Sequence, residues 1–208
     1  MQVSICLMDK LLVELPNFVS HELCKKIIDK FENDDKKHEG FLRYKCGESI
    51  VNRDKFNTQL LIGKLDNWKE INSEISKYMS KVPTEYLRQV YYNFNYDQEH
   101  HPYDRFMDIQ STRHQGCNIQ RIKKGDKFMW HCDNSPNGKA FLQVILYLNT
   151  LDVHEGGCTE FSNGRMIRPE IGKILIFPCS WTFPHQGNEV KADFKYICTT
   201  VIHAEGWL

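Results

Sequence analysis

The sequence predicts a mainly-β fold with N-terminal α-helices, in the form of a jelly roll with helices packed on an outer face. Two observations carry this prediction. Apolar residues follow a helical period through about the first 95 residues. From about residue 117 the period changes to short β-rich runs, each closed by a Gly, Asn or Pro turn signal, which argues an antiparallel sandwich or barrel. A length of 208 residues suits one domain, read here as helical support over 1–95 and a jelly-roll core over 96–208.

The elements follow in order. Ser20 is a fitting N-cap for "HELCKKIIDKF", which places Leu23, Cys24, Ile27, Ile28 and Phe31 on one face. "NWKEINSEISKYM" repeats the pattern with Trp68, Ile71, Ile75, Tyr78 and Met79. "PTEYLRQVYYNF" opens with Pro83 and reads either as a third helix or as the entry to a strand. Residues 33–58 are polar and punctuated by Gly, a loop with a short hairpin. The β-rich runs are "CNIQRI", "FLQVILYLN", "CTEF", "RMIRPEI", "ILIFP" and "FKYICTTVI". Between them, Gly156 and Gly157 fit an ordinary hairpin turn that needs positive φ.

Composition excludes several classes. Lys+Arg and Asp+Glu both number 27, so no global basic field points to nucleic acid. The eight cysteines form no C-x-x-C pair, which excludes a zinc ribbon or a thioredoxin-type motif. No secretory leader and no run of about 18 apolar residues is visible, so the expectation is a reducing cytoplasm, free thiols and no membrane span.

The chemistry centres on "KFMWHCDNSP". In an extended segment His131 and Asp133 point to one side about 7 Å apart at Cα, so imidazole and carboxylate can converge on one ion. The pair alone reads equally as a surface histidine and a turn-capping aspartate. A metal needs a third ligand, and the best candidate is His185 in "SWTFPHQGNEV", 54 residues after His131. Two histidines and one carboxylate make the facial set that leaves positions open on Fe(II), whereas structural zinc is normally closed by four ligands. His100, His101, His114, His154 and His203 compete for the place. Ten residues after His185, "FKYICTT" puts Lys195 in an apolar strand, with Ile197 and Thr199 on the same face. An inward ammonium and hydroxyl could hold a carboxylate, and a lysine at a strand edge could instead snorkel to solvent.

Together "HCD", "PHQG" and "FKYICTTVIH" resemble the H-x-D…H…Lys signature of Fe(II)/2-oxoglutarate dioxygenases, in the prolyl 4-hydroxylase-like branch. "QRIKKGDKFMWHCD", "VILYLN", "EGGCTEF" and "IRPEIGKILIFP" stand in the expected order, so the resemblance is dense over 117–203 and thin before it. It implies a double-stranded β-helix with iron at its open end, held by His131, Asp133 and His185. It makes Lys195 the partner of the distal carboxylate of 2-oxoglutarate, with Thr199 beside it, and matches Tyr147 to a tyrosine that contacts the cosubstrate in some relatives. Ile122 and Phe128 stand where the branch often has tyrosines, and Gln143 where it often has threonine.

The implied activity is hydroxylation of a C–H bond by O2 with Fe(II) and 2-oxoglutarate, with ascorbate as a reductant. The branch favours a peptide or protein substrate, a prolyl or other residue; a free amino acid or small metabolite is the alternative. A non-catalytic metal-binding jelly roll is a second alternative. Nucleic-acid demethylation is disfavoured by the zero net charge and by Lys195 in place of an arginine. Residues 33–58 and 95–110 are the candidate substrate loops, and Trp130, Trp181 and Phe183 flank the ligands.

Overall fold

The computed structural model describes residues 7–40, 42–43, 49–50, 57–96, 112–114, 116–133 and 140–204. The first half contains α1 (Leu7–Leu11), β1 (Val13–Leu15), α2 (His21–Glu32), β2 (His38–Glu39), β3 (Leu42–Arg43), β4 (Ser49–Ile50), β5 (Thr58–Leu61), α3 (Lys69–Met79) and α4 (Val82–Phe94). The second contains β6 (Thr112–His114), β7 (Asn118–Lys123), β8 (Phe128–His131), β9 (Ala140–Tyr147), β10 (Thr159–Phe161), β11 (Met166–Ile167), β12 (Ile174–Pro178), β13 (His185–Gly187) and β14 (Phe194–Ala204). Cys6, Cys46, His100, His101 and most of the two candidate substrate loops lie outside the described residues.

Among the described residues the strands form an eight-stranded sheet in the order β1-β12-β9-β14-β7-β5-β2, with β6 also on β14, and a four-stranded sheet in the order β11-β10-β13-β8. A separate β3–β4 hairpin falls within the loop expected over 33–58. The named pairings are antiparallel, for example Thr199 opposite both Asn118 and Ile145. The two sheets share one apolar cluster, with Ile145, Tyr147, Leu175 and Phe177 from the large sheet meeting Phe161 and Ile167 from the small one and Phe183 just ahead of β13. This is a jelly roll.

Alternation along each central strand builds two layers. On β9, Leu142, Val144 and Leu146 face the helices, while Gln143, Ile145 and Tyr147 face the small sheet. A strand buried on both faces reads as a continuous apolar run, which is why "FLQVILYLN" lacks polar alternation. The helical layer is amphipathic. Leu23, Cys24, Ile27 and Phe31 of α2, Ile71, Ile75 and Met79 of α3, and Tyr86, Leu87, Val90 and Tyr91 of α4 are buried against the large sheet. Ser20 caps α2 by accepting from the Leu23 N–H at 3.3 Å. The segment left open between helix and strand is α4: Pro83 fits its first turn and Asn95 ends it at φ 55°. Trp68 is fully buried, and its indole N–H donates to Asp34 at 2.7 Å, so the start of α3 is pinned to the chain after α2.

The N-terminal part does more than buttress. β1 pairs with β12 and β5 pairs with β7, so residues before 95 extend the large sheet at both ends. The large sheet therefore draws strands from both sides of residue 95. Strands of three and four residues carry too few alternations to be read from a pattern. Among the described residues no helix is long and apolar enough to cross a membrane.

Candidate active site

The small sheet carries the first cluster. Gly125 turns at φ +85° between β7 and β8 and donates its N–H to the Val190 carbonyl, which sets the start of β8. β8 ends at His131, Asp133 follows two residues on, and β13 begins at His185, directly opposite His131. One ligand atom from each of the three residues lies within 4.8 Å of the others. His185 Nε2 is 3.4 Å from Asp133 Oδ2, and His131 Nε2 is 3.7 Å from Asp133 Oδ1.

Both imidazoles are oriented from behind. His131 Nδ1 contacts the Met129 carbonyl at 2.8 Å, and His185 Nδ1 contacts the Phe183 carbonyl at 3.1 Å. A carbonyl only accepts, so each Nδ1 carries a proton, and each Nε2 is the nitrogen turned to the cluster. Packing fixes the rings as well: Phe128 stacks on His131 at 3.7 Å between centroids, and Phe177 stands edge-on to His185 at 4.9 Å. Two imidazole nitrogens and one carboxylate form the donor set suited to a divalent transition metal with open positions. Ligands at right angles around an ion with bonds near 2.1 Å stand about 3.0 Å apart, slightly inside the separations found here.

A cavity of about 170 Å³ opens from this cluster, and Lys195 lines it from the large sheet. Lys195 is 4% exposed. Its ammonium donates to the Gly157 carbonyl at 2.6 Å and stands 5.6 Å from the Tyr147 ring, and no carboxylate pairs with it among the described residues. Burial pushes its pKa from 10.5 down to about 8, slightly offset by Cys158. A buried cation without a counter-ion, facing a cavity, is a site for an anion.

Thr199 is set up to donate to the same anion. Asn57 donates to Gln120 Oε1 at 2.6 Å, and Gln120 Nε2 donates to Thr199 Oγ1 at 3.0 Å. With that lone pair used, the Thr199 hydroxyl proton is left to point into the cavity. Tyr147 stands behind the wall. It is fully buried, and its hydroxyl shares a 2.8 Å hydrogen bond with Thr159, which itself lines the cavity. Burial raises the Tyr147 pKa, so it stays a neutral phenol.

The structure thus brings His131, Asp133, His185, Lys195 and Thr199 to one cavity, with Ile122, Phe128 and Gln143 in its wall. Trp130 and Trp181 are exposed, whereas Phe183 is buried under His185. Of the competing histidines, His154 is exposed on a 3-10 turn and joins no metal cluster among the described residues. The sequence reading missed Asn57, Asn118 and Gln120, although the period of two in "NIQRI" puts Asn118, Gln120 and Ile122 on one face. It also took the "EGG" glycines for a simple hairpin. Instead Gly156 pairs with Val190, and a Cβ there would stand 2.3 Å from the Glu189 carbonyl oxygen. Gly157, at φ +69°, brings its carbonyl onto Lys195.

Residues 117–203 match the family model described as the 2OG-Fe(II) oxygenase superfamily. The matched segment is the jelly-roll core, under half of the chain, and it marks a 2-oxoglutarate-dependent dioxygenase with Fe(II) and 2-oxoglutarate as cofactor and cosubstrate. No curated protein matches it in sequence. Solved structures match its fold. A viral collagen prolyl hydroxylase from Paramecium Bursaria Chlorella virus-1, in complex with 2OG, has a TM-score of 0.65 at 17% identity, over 97% of this chain and 100% of that one. A Trichoplax adhaerens prolyl hydroxylase in complex with a hypoxia inducible factor peptide fragment has a TM-score of 0.68 at 17% identity, over 94% and 84%. A Pseudomonas putida prolyl-4-hydroxylase has a TM-score of 0.62 at 12% identity, over 94% of each chain. The fold is prolyl 4-hydroxylase-like.

Proposed function

We propose that His131, Asp133 and His185 hold the Fe(II), that Lys195 and Thr199 bind the distal carboxylate of 2-oxoglutarate, and that the enzyme hydroxylates a prolyl or other residue of a peptide in the cytoplasm. The observation that carries this reading is the position of Lys195, a buried ammonium with no carboxylate partner among the described residues, in the same cavity as the His-Asp-His cluster. When bound, Fe(II) and 2-oxoglutarate supply the oxidation, in which O2 gives one oxygen atom to succinate, with loss of CO2, and one to a substrate C–H bond.

The protein residues do the rest. The Met129 and Phe183 carbonyls hold the imidazoles with Nε2 aimed at the cluster. Asp133 supplies the charged ligand. Lys195 supplies the positive charge for the distal carboxylate, and Thr199, polarised by Gln120 and Asn57, adds a hydrogen bond. Tyr147 closes the wall behind the ammonium without competing for the anion, because its hydroxyl is engaged by Thr159. Phe128, Ile122, Ile145 and Ile197 line the cavity between these groups and keep water from a reactive centre.

The peptide substrate is supported by the prolyl hydroxylase-like fold over nearly the whole chain. The cytoplasmic setting is supported by Cys24, Cys117, Cys132, Cys158, Cys179 and Cys198, among which no disulfide forms in the described residues. A panel of proline-containing peptides and free amino acids, incubated with enzyme, Fe(II), 2-oxoglutarate, ascorbate and O2, tests the reading by mass spectrometry. A mass gain of one oxygen atom on a peptide is expected. Oxidation confined to a free amino acid overturns the peptide assignment.

A further inference from the structure

Gln143 lines the cavity and is used by neither the metal cluster nor the cosubstrate site. It lies on β9 facing the cavity and is 8% exposed. Its cross-strand neighbours are Phe177 on β12 and Val201 on β14, and neither side chain can hydrogen-bond it. Among the described residues its carboxamide has no partner, in contrast to Gln120, which is tied to Asn57 and Thr199. In the same wall, Asn118 Oδ1 is buried without a partner among the described residues. The Gln143 carboxamide faces the cavity with no protein partner among the described residues, so its donor and acceptor are available to a ligand there. The place is the metal end: the ring of Phe177, directly opposite Gln143, stands 4.9 Å from the ring of His185.

The chemistry of the missing ligand follows from the group itself. The polar groups of 2-oxoglutarate, two carboxylates and a ketone, only accept, and Lys195, Thr199 and the metal cluster answer them. A carboxamide offers a donor and an acceptor side by side, with no net charge, and its complement is another amide. Its immediate neighbours on the sheet, Phe177, Val201 and Ile145, are apolar. We infer that Gln143 is a specificity-determining residue whose carboxamide hydrogen-bonds an amide group of the substrate at the metal end of the cavity, selecting peptides over free amino acids. This rests on the peptide reading above and adds the residue that enforces it.

The test uses Gln143→Met, which keeps length and removes hydrogen bonding, with Gln143→Leu as a second variant. The probe is a ten-residue proline-rich peptide, acetylated and amidated, titrated calorimetrically into the full chain loaded with Mn(II) and 2-oxoglutarate so that no turnover occurs. The expected result is a peptide Kd weakened about tenfold or more, with the 2-oxoglutarate Kd measured without peptide unchanged within about twofold. The peptide-free variant should also melt no lower than wild type, because an unpartnered amide is replaced by an apolar group; a merely structural glutamine would cost stability instead. Wild-type binding that both variants leave unchanged overturns the inference alone. A loss of 2-oxoglutarate affinity with peptide affinity intact also overturns it, by assigning the amide to the cosubstrate. A wild type that ignores the blocked peptide and binds free proline overturns both the inference and the peptide reading.

Discussion

Replacing Lys195 by methionine should move two properties in opposite directions. The ammonium is 4% exposed and has no carboxylate partner among the described residues, so the protein without cosubstrate bears the cost of a buried charge. The drop from 10.5 to about 8 sets that cost. At 1.36 kcal/mol per pH unit it is about 3 kcal/mol, of which the lost bond to the Gly157 carbonyl returns about 1. The sign is fixed by linkage. The folded pKa lies below the unfolded value, so between about pH 8 and 10.5 the unfolded chain binds the extra proton and stability rises with pH. Below about pH 8 the destabilisation is fully present. Lys195→Met should therefore stabilise the cosubstrate-free protein at pH 7 by about 2 kcal/mol, read by urea denaturation. With 2-oxoglutarate bound, the ammonium is one partner of a buried charge pair, whose removal costs about 3–5 kcal/mol. At about 1.4 kcal/mol per tenfold, the Kd of the iron-loaded protein should weaken by roughly a hundredfold or more. Iron affinity should hold, since Lys195 is not in the metal cluster. Equal 2-oxoglutarate affinities in wild type and variant would falsify the assignment of Lys195 to the carboxylate.

Three further outcomes follow from the same cavity. Thr199→Val keeps shape and removes the donor aligned by Gln120, so 2-oxoglutarate affinity should fall about tenfold in the same titration, and an unchanged Kd would place the carboxylate elsewhere. Wild-type affinity for 2-oxoglutarate should be flat below about pH 8 and weaken by up to tenfold per pH unit above it, because a neutral Lys195 must take up a proton to bind the anion; the drop should be absent in Lys195→Met. Gly157→Ala should lose about 1–3 kcal/mol of stability and also weaken 2-oxoglutarate binding, since the position has φ +69° and the new Cβ would lie 2.8 Å from Leu151 Cδ1 and 3.3 Å from Lys195 Cδ. A Gly157→Ala protein with normal stability would show that the turn tolerates a side chain.

Much of the architecture was readable because local pattern and tertiary layer agree. The period of two in "FKYICTT" places Lys195, Ile197 and Thr199 on one face, and that face lines the cavity. The apolar period of "HELCKKIIDKF" places Leu23, Cys24, Ile27 and Phe31 inward, and those residues are buried. What was not readable depends on register between distant strands. His131 and His185 meet only because β8 and β13 pair them across 54 residues, so spacing could nominate His185 but not place it. The Asn57–Gln120–Thr199 relay needs β5 beside β7 and β7 beside β14, and β5 is too short to announce itself. α4 was ambiguous because Tyr and Val suit strands as well as helices, and burial against the sheet decides it. The second glycine of "EGG" looked like turn chemistry, although its carbonyl is the partner of Lys195.

The most direct test of the central claim is substrate-independent consumption of 2-oxoglutarate by wild type and Asp133→Ala. The account holds that His131, Asp133 and His185 are the catalytic metal centre and that Lys195 presents the cosubstrate to it. With Fe(II), 2-oxoglutarate and O2 present, wild type should form succinate slowly without substrate. Asp133→Ala should form none above background and should lose Fe(II) affinity, because the charged ligand of a divalent ion is gone. An Asp133→Ala protein that binds Fe(II) and makes succinate at the wild-type rate would contradict the account.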